Sequence, residues 1–168
     1  MELDIEVRPV REEDAPELAT LLNEIIARGG TTALEMPFTA DELARTMLTG
    51  PNVICCFVAS ERATGRLLGF QSLERWDGLP DDIGDIATFA RVGLTQRGVG
   101  SSLFAATRGE AGKKGITAIN ATIRADNIGG ITFYDRMGFK NYSVQRAVPL
   151  KNGAPVDRIS KRYSLASG

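Results

Sequence analysis

The segment that most constrains the fold lies between Asp85 and Gly115, where an apolar run leads through a glycine turn into a helical pattern. Residues 86–92 predict a buried strand, Thr95-Gln96-Arg97-Gly98-Val99-Gly100 a tight turn, and the residues from Ser101 onward a helix. In this arrangement several backbone N–H groups and the positive end of the helix dipole point at one position. Such a position binds phosphate without the help of a charged side chain.

The glycine turn does not fit two common phosphate-binding motifs. A P-loop has Lys after its last glycine, whereas Ser101 follows Gly100 in this chain. A dinucleotide-binding Gly-x-Gly-x-x-Gly would have its third glycine where Leu103 stands. Taken alone, the turn is equally compatible with a plain structural turn, so its function depends on a second motif.

The second motif is the downstream segment Asn127-Ile128-Gly129-Gly130-Ile131-Thr132-Phe133-Tyr134-Asp135-Arg136-Met137-Gly138-Phe139. Together with the glycine turn, it resembles the GCN5-related N-acetyltransferase (GNAT) family. The turn is similar to that family's Arg/Gln-x-x-Gly-x-Gly/Ala pyrophosphate loop, and the segment to its Asn…Phe-Tyr-x-x-x-Gly-Phe motif. Thr95 stands where the family usually has Arg or Gln, and Val92 where Pro is common. Backbone donors do most of the anion binding, so we expect binding to survive both departures.

Composition indicates an ordinary globular protein. The chain has 168 residues, of which 43% are hydrophobic, and we expect one domain over residues 1–168. A formal net charge of -1 argues against a nucleic-acid partner. No apolar run reaches the ~20 residues needed to span a bilayer, so no membrane partner is expected. The acidic N-terminus carries no signal-peptide pattern, and we expect a cytoplasmic protein.

Residue types restrict the chemistry. The chain has no histidine, which excludes Ser-His-Asp and Cys-His mechanisms and most zinc sites. Cys55 and Cys56 are adjacent in an apolar run, so we expect them to face opposite sides of a strand and to pack in the core. No metal site is expected. Proton transfer therefore depends on carboxylates, Tyr, Lys, Cys or water.

The order of predicted elements is β-α-α-β-β-β-α-β-α-β-β. It predicts an α/β (α+β) fold, the GNAT fold of a mixed twisted sheet with about seven strands flanked by about four helices. Asp14 to Glu17 and Thr39 to Glu42 are predicted to be capping boxes of the first two helices. Residues 67–76 are predicted to be a strand. The apolar loop 31–38 either lines the acceptor site, as in the family, or packs on the core.

The resemblance implies acetyl-CoA as co-substrate, in a cleft where the strand ending near Val92 separates from the strand that starts at Ile116. Backbone groups of the first strand would pair with pantetheine, and the glycine turn would bind the pyrophosphate. Asn127 would bind pantetheine or a backbone group, or alternatively would only cap a helix. The residues expected at the cofactor are Phe89, Ala90, Arg91, Thr95, Gln96, Arg97, Gly98, Val99, Gly100, Ser101, Asn127 and Tyr134.

The resemblance also implies two catalytic residues. Tyr134 would protonate the departing CoA thiolate, because a thiol has a pKa of about 8.5 and its thiolate leaves poorly; alternatively Tyr134 only packs against the cofactor. Asp85 is the first candidate for the base that deprotonates the acceptor amine, or alternatively a solvated acid at a strand end. Glu35 and Glu74 are weaker candidates for the base.

Residues 70–76 are similar to the Trp-containing strand of phosphinothricin and methionine-sulfone acetyltransferases. This similarity implies a small, amino-acid-like amine as the acceptor. Trp76 would wall the acceptor pocket, Arg75 would pair with an acceptor carboxylate, and Glu35 would lie in the acceptor loop. A protein lysine or N-terminal acetyltransferase and a non-catalytic acyl-CoA-binding domain remain alternatives. By family habit we expect a homodimer that associates through the last hairpin.

Overall fold

The structure, a computed structural model, describes residues 3–94 and 97–165. The strands are β1 (Ile5–Pro9), β2 (Val53–Glu61), β3 (Leu67–Glu74), β4 (Ile83–Ala90), β5 (Ala118–Arg124), β6 (Lys140–Pro149) and β7 (Pro155–Ser164). The helices are α1 (Ala15–Arg28), α2 (Ala40–Leu43, continued by a π-helical turn over Ala44–Leu48), α3 (Val99–Lys113) and α4 (Ile128–Met137). The order of elements and the fold class agree with the sequence prediction.

The strands form one sheet in the order β1-β2-β3-β4-β5-β7-β6. All neighbouring pairs are antiparallel except β4 and β5, which are parallel and joined through α3. These two strands pair at only three positions, the last being Asp85 opposite Asn120. Both strands continue beyond that point, to Ala90 and Arg124. They therefore separate toward their carboxyl ends and leave a wedge-shaped opening in the sheet.

Helices cover both faces of the sheet. Helices α1 and α2 pack on a cluster that includes Phe70 and Phe89, and α3 and α4 pack on a cluster that includes Leu73 and Ile86. Adjacent residues of a strand point to opposite faces, so one strand contributes to both clusters. The adjacent free cysteines Cys55 and Cys56 follow this rule: both are buried, and each belongs to a different cluster, as predicted.

Two predicted strand ends are wrong. Strand β3 ends at Glu74, so Arg75 and Trp76 follow the strand and lie in the connection to β4. Strand β4 ends at Ala90, before Val92, because Leu94 N–H donates to Arg91 C=O in a turn that includes Gly93 at φ 89°. Among the described residues, no helix is both long and apolar enough to cross a membrane.

One predicted capping box is confirmed and the other is wrong. Thr39 and Glu42 cap α2 reciprocally. The Asp14 side chain makes no cap hydrogen bond with α1, because its carboxylate accepts two hydrogen bonds from the Arg8 guanidinium at 2.8 Å and one from the Arg11 N–H at 2.7 Å. Glu17 instead accepts the Leu67 N–H at 2.9 Å and so joins α1 to β3.

Candidate active site

The wedge between β4 and β5 exposes backbone groups of β4. Arg91 N–H donates to Leu68 C=O at 2.7 Å, and Phe89 lies opposite Phe70 in the β3–β4 ladder. Hydrogen-bonding direction alternates along a strand, so Phe89 and Arg91 both point their backbone groups toward β3. Thr88 and Ala90 point theirs into the wedge. Of the three residues predicted to pair with pantetheine, only Ala90 is placed to do so, and Thr88 joins it.

The Arg91 side chain has a structural role. Its Nε donates to Leu67 C=O at 2.9 Å, and its NH2 group lies 3.1 Å from the Glu17 carboxylate. The side chain therefore holds the end of β4 against β3 and α1. These two contacts give the Arg91 side chain a role that requires no ligand.

The glycine turn leads into the amino end of α3. Gly98 precedes the helix at φ 88°, a conformation that favours glycine, and Ser101 Oγ donates to Gly98 C=O at 3.2 Å. The N–H groups of Val99, Gly100 and Ser101 belong to the first turn and have no acceptor within the helix. Helix α3 has no acidic residue in its first turn.

The glycine turn is also a packing site. A Cβ built on Gly100 would lie 2.7 Å from the Phe133 ring, so α3 and α4 approach closely there. Arg97 lies at the described edge of the turn, whereas Thr95 and Gln96 fall outside the described residues. The described part thus presents an open helix end next to the wedge, which suits an anionic ligand.

Tyr134 lies in a buried polar network behind the wedge. Its hydroxyl is 2.9 Å from Thr88 Oγ1, which also accepts a hydrogen bond from Gln71 Nε2 at 2.9 Å. Burial raises the pKa of Tyr134, and the negative charge of Asp85 adds to this shift. Tyr134 is therefore protonated at neutral pH. Sequence reasoning missed Thr88 and Gln71, because both have the pattern of ordinary strand residues.

Gln71 has an unused acceptor in this network. Its Oε1 atom is buried and has no hydrogen-bond partner among residues 3–94 and 97–165. The fixed amide and the Thr88 hydroxyl orient the phenol of Tyr134, which can donate one hydrogen bond into the wedge or to Thr88.

Two carboxylates lie on the opposite face of the sheet from Tyr134. Glu74 on β3 lies directly opposite Asp85 on β4, and Asn120 Nδ2 donates to Asp85 Oδ1 at 2.9 Å. Arg162 Nε donates in turn to Asn120 Oδ1 at 2.7 Å. Burial raises the pKa of Glu74 to about 7, and the charge of Asp85 contributes to this rise, while a hydrogen bond from Ser72 opposes it. Burial also raises the pKa of Asp85.

The candidate acid and bases lie on opposite faces of the sheet. Asp85 shares its face of β4 with Ala87 and Phe89, which pack toward α1 and α2. Thr88 shares the other face with Ile86, toward α3 and α4, and there it contacts Tyr134. The wedge lies between the two groups. A molecule held in it would meet a phenol on one side and carboxylates on the other.

The apolar loop 31–38 is fixed at both ends. At its start, the Arg124 guanidinium donates to Thr32 C=O at 3.1 Å, and Asn127 Nδ2 donates to Thr31 C=O at 2.8 Å. At its end, the Asn23 amide exchanges two hydrogen bonds of 2.8 Å with the backbone of Phe38. The same loop therefore bridges α1 and the carboxyl end of β5.

The middle of this loop meets both the core and the last hairpin. Leu34 and Phe38 pack against the α1–α2 cluster, so part of the loop is core, as the second interpretation of its sequence holds. The Glu35 carboxylate accepts the Lys151 N–H at 2.9 and 3.0 Å, which links the loop to the β6–β7 turn. Met36 is 59% exposed.

The remaining predicted residues lie at less enclosed positions. Asn127 caps α4 by accepting the Gly130 N–H at 3.0 Å, while its amide nitrogen holds the loop at Thr31. Arg75 is exposed directly after β3. Trp76 is 61% exposed, and a Cβ built on Gly78 would lie 2.6 Å from its ring, so the indole packs on its own turn.

No group of three or more His, Cys, Asp or Glu side chains in the described part of the chain is arranged to hold a metal ion. The thiols are also poor nucleophiles, since burial raises the pKa of Cys55 to about 11 and raises that of Cys56 as well. The acid and base candidates are therefore the phenol and the two carboxylates.

The fold is similar to those of several solved acetyltransferases. An N-acetyltransferase from Staphylococcus aureus Mu50 is 21% identical, covers 97% of this chain and 99% of its own, and superposes with a TM-score of 0.83. A GNAT superfamily phosphinothricin acetyltransferase from Sinorhizobium meliloti, solved in complex with AcCoA, is 19% identical with a TM-score of 0.85, covering 98% and 90%. A ribosomal-protein-alanine N-acetyltransferase from Brucella melitensis is 18% identical with a TM-score of 0.79, covering 95% and 99%.

These structural likenesses establish the fold. No match was found among curated protein sequences. The family model described as "Acetyltransferase (GNAT) domain" matches residues 7–160, which is nearly the whole chain. The chain therefore belongs to the GNAT acetyltransferase family and is an acyltransferase.

Proposed function

We propose that the enzyme transfers the acetyl group of acetyl-CoA to the primary amine of a small, amino-acid-like molecule by direct attack of the amine on the thioester. The observation that carries this proposal is the wedge between β4 and β5, with Tyr134 on one face of β4 and the pair Glu74 and Asp85 on the other. A thioester in the wedge meets a proton donor and a proton acceptor from opposite sides.

The described residues provide a fitting site for acetyl-CoA. The backbone groups of Thr88 and Ala90 are free to pair with the pantetheine amides as an added strand would. The N–H groups of Val99, Gly100 and Ser101 suit the pyrophosphate. Asn127 is engaged on both sides of its amide, so we assign it to the support of the site and not to pantetheine.

Tyr134 is the proposed general acid. A backbone N–H of β4 would face the thioester oxygen and stabilise the negative charge that develops during attack. The buried phenol remains protonated at neutral pH and is oriented by Thr88, so it can give a proton to the leaving thiolate.

The proposed base is the carboxylate pair. An acceptor amine arrives mostly protonated and has to lose a proton before it attacks. Asp85 is held in place by Asn120, whereas Glu74 has a pKa of about 7 and changes its protonation near neutral pH. We assign proton removal to this pair acting together, directly or through water, because a base poised near the operating pH is the most effective.

The anchored loop supports a small acceptor over a peptide. Loop 31–38 is tied to β5 through Arg124 and to the last hairpin through Glu35. These ties cross the sheet face on which the carboxylates lie, and an open groove for a chain segment is not expected there. The fold likeness to the phosphinothricin acetyltransferase agrees with this choice, but the likeness to the ribosomal-protein-alanine enzyme keeps a protein acceptor as the second candidate.

The test is a panel of amines incubated with acetyl-CoA, with the acetylated product detected by mass spectrometry. The panel holds phosphinothricin, methionine sulfone, methionine sulfoximine, ordinary amino acids, polyamines, aminoglycosides and basic peptides. Acetylation of an amino-acid-like compound supports the proposal. Acetylation of peptides alone favours the second candidate, and calorimetry that detects no acetyl-CoA binding overturns both.

We also propose a homodimer formed through the last hairpin. Strand β6 is an edge strand, and Tyr142 and Val144 on it are exposed, at 63% and 49%. Light scattering of the wild-type protein and of a Val144→Lys variant tests this: a dimer that the variant converts to monomer is expected, and a monomeric wild type overturns the proposal.

A further inference from the structure

Two arginines lie side by side beneath the anchored loop. Arg124 on β5 is directly opposite Arg158 on β7, so both side chains project from the same face of the sheet. Like charges at directly opposite positions destabilise a sheet unless other groups compensate them. The role of each arginine therefore depends on the groups that its guanidinium contacts.

Arg124 is fully compensated. Its Nε and NH2 groups donate to the Asp126 carboxylate at 3.0 and 2.8 Å, and its NH1 group donates to Thr32 C=O at 3.1 Å. The guanidinium is buried and fixed by these contacts. These three hydrogen bonds hold the loop against β5.

Within the described part of the chain, Arg158 has no hydrogen-bonded partner of its own, although the charge of the nearby Asp126 carboxylate acts on it. Its Nε atom is buried without a hydrogen-bond partner in the described ranges 3–94 and 97–165. Across the same residues, its guanidinium forms neither an ion pair nor a hydrogen bond, since the Asp126 carboxylate is already bound bidentately by Arg124. A buried donor left unsatisfied is costly, and a guanidinium matches a carboxylate with two parallel N–H···O bonds. One carboxylate, Asp126, thus faces two guanidinium groups, and an anion bound at Arg158 would balance the second positive charge.

Arg158 shares its face with the candidate bases. Arg158 lies opposite Arg124, and Arg162 lies opposite Asn120, which is bonded to Asp85. The two rows are four residues apart along β5, a distance of about 13 Å between backbones at roughly 3.3 Å per residue. The intervening pair is Thr122 opposite Ser160, both small and polar. Thr122 is exposed and Ser160 half-buried, so this stretch of the sheet face is accessible between a cation at one end and carboxylates at the other.

We propose that Arg158 binds the carboxylate of the acceptor, so that the enzyme selects amines that also carry an anionic group. This inference rests on the proposed function, and it assigns specificity to a residue on β7 instead of to the exposed Arg75. The acceptor amine then lies toward Asp85 and Glu74, and its carboxylate lies under the loop at Thr32. Arg158 is a specificity residue and takes no part in proton transfer.

The test compares an acid with its neutral counterpart. Steady-state kinetics are measured with methionine sulfone and with its carboxamide, for the wild type, Arg158→Gln and Arg158→Lys. We expect Arg158→Gln to raise KM for the acid about 10- to 100-fold, the range for loss of a charged hydrogen bond. KM for the carboxamide and for acetyl-CoA is expected to change less than about twofold. KM for the acid in Arg158→Lys is expected to lie between the values for the wild type and Arg158→Gln, because lysine retains the charge without the bidentate geometry.

Two further measurements make the result decisive. Arg136→Gln is the matched control, since Arg136 is exposed in the last turn of α4, which packs on the other face of the sheet. This variant is expected to change KM for neither the acid nor the carboxamide. The melting temperature of Arg158→Gln without ligand is expected to equal or exceed that of the wild type, because the substitution removes one of two like charges that share the Asp126 carboxylate. Equal loss of activity toward acid and carboxamide, or no loss toward either, overturns the proposal.

The outcome also separates this inference from the proposed function. If the wild type binds acetyl-CoA but acetylates no small amine, the proposed function fails. The melting temperature in the presence of methionine sulfone, phosphinothricin or glutamate then tests Arg158 alone. A rise for the wild type that is lost in Arg158→Gln supports the anion site, and the same response in both proteins overturns it.

Discussion

Glu74 lies directly opposite Asp85 in the β3–β4 ladder, and burial raises the pKa of both carboxyl groups. Like charges at opposite positions of neighbouring strands repel, so the pair favours a state that retains one proton. The pKa of about 7 for Glu74 means that this proton is lost near neutral pH. In the proposed mechanism, the acceptor amine therefore meets a carboxylate whose protonation changes near neutral pH.

The first prediction concerns the pH dependence of turnover. We expect kcat/KM for the acceptor to rise with pH through an apparent pKa of about 7, as Glu74 becomes able to accept a proton. Glu74→Gln is expected to remove this inflection and leave only the rise due to the amine itself. Rates measured from pH 5.5 to 9 check this. An inflection that persists unchanged in the variant assigns it to another group.

A companion variant separates the two carboxylates. Asp85→Asn is expected to lower kcat by about 10²- to 10⁴-fold, the usual contribution of a general base, with little change in acetyl-CoA binding. Retention of wild-type kcat would show that Asp85 does not take part in proton removal. The Asn120 contact with Asp85 is then purely structural.

The second prediction concerns stability. The pKa of Glu74 is about 7 in the folded state and 4.5 for the free side chain, so the folded state holds the extra proton between these values. Stability contributed by this group is therefore lost as the pH rises from about 4.5 to about 7. Glu74→Gln is expected to raise the free energy of unfolding at pH 8 by on the order of 2–3 kcal/mol, and by much less at pH 4.5. Urea unfolding at both pH values measures the difference.

The control for this experiment is Glu24→Gln, which changes an exposed carboxylate on α1. Its effect on unfolding is expected to stay within about 0.5 kcal/mol at either pH. A gain at pH 8 that equals the gain at pH 4.5 would mean that the amide fits the site better for reasons unrelated to charge.

The third prediction concerns Tyr134. Tyr134→Phe removes the hydroxyl that lies 2.9 Å from Thr88 Oγ1 and leaves the ring, which packs against Phe133 and Phe139. We expect kcat to fall about 10²-fold or more, the lower range for general acid catalysis, while calorimetry shows unchanged acetyl-CoA affinity. Wild-type turnover in this variant would reduce Tyr134 to a packing residue.

Thr88→Val tests how the phenol is oriented. The substitution keeps the volume and removes the hydroxyl that joins Gln71 Nε2 to Tyr134. We expect a smaller loss of kcat than in Tyr134→Phe, because the acid is present but less well oriented. A loss as large as that of Tyr134→Phe would assign Thr88 a direct part in proton transfer.

The sequence predicted the elements better than the contacts between them. Apolar periodicity and glycine positions identified the seven strands and the four α-helices, and the adjacent Cys55 and Cys56 were correctly assigned to opposite faces. These features depend on the local chain alone. The capping box at Asp14 failed because Arg8, on the neighbouring strand, competes successfully for its carboxylate.

Register explains most of what the sequence missed. Whether Phe89 or Ala90 points its backbone into the wedge depends on which residue of β3 lies opposite, and a shift of one residue reverses the answer. The pairs Glu74 with Asp85 and Arg124 with Arg158 likewise depend on the register between two strands. No local pattern fixes those alignments, so the carboxylate pair and the buried Arg158 Nε without a hydrogen-bond partner among the described residues become visible only in the structure.

The last prediction concerns the close approach of α3 and α4 beside the glycine turn. Gly100→Ala places a Cβ 2.7 Å from the Phe133 ring, so one helix has to shift. We expect a loss of about 1–3 kcal/mol in the free energy of unfolding, the range for overpacking, together with weaker acetyl-CoA binding because the helix end moves. Gly109→Ala is the matched control on the same helix, where the added Cβ meets open space. It is expected to stabilise the protein by about 0.5–1 kcal/mol and to leave binding unchanged. Equal effects of the two substitutions would show that the Phe133 contact does not position the turn.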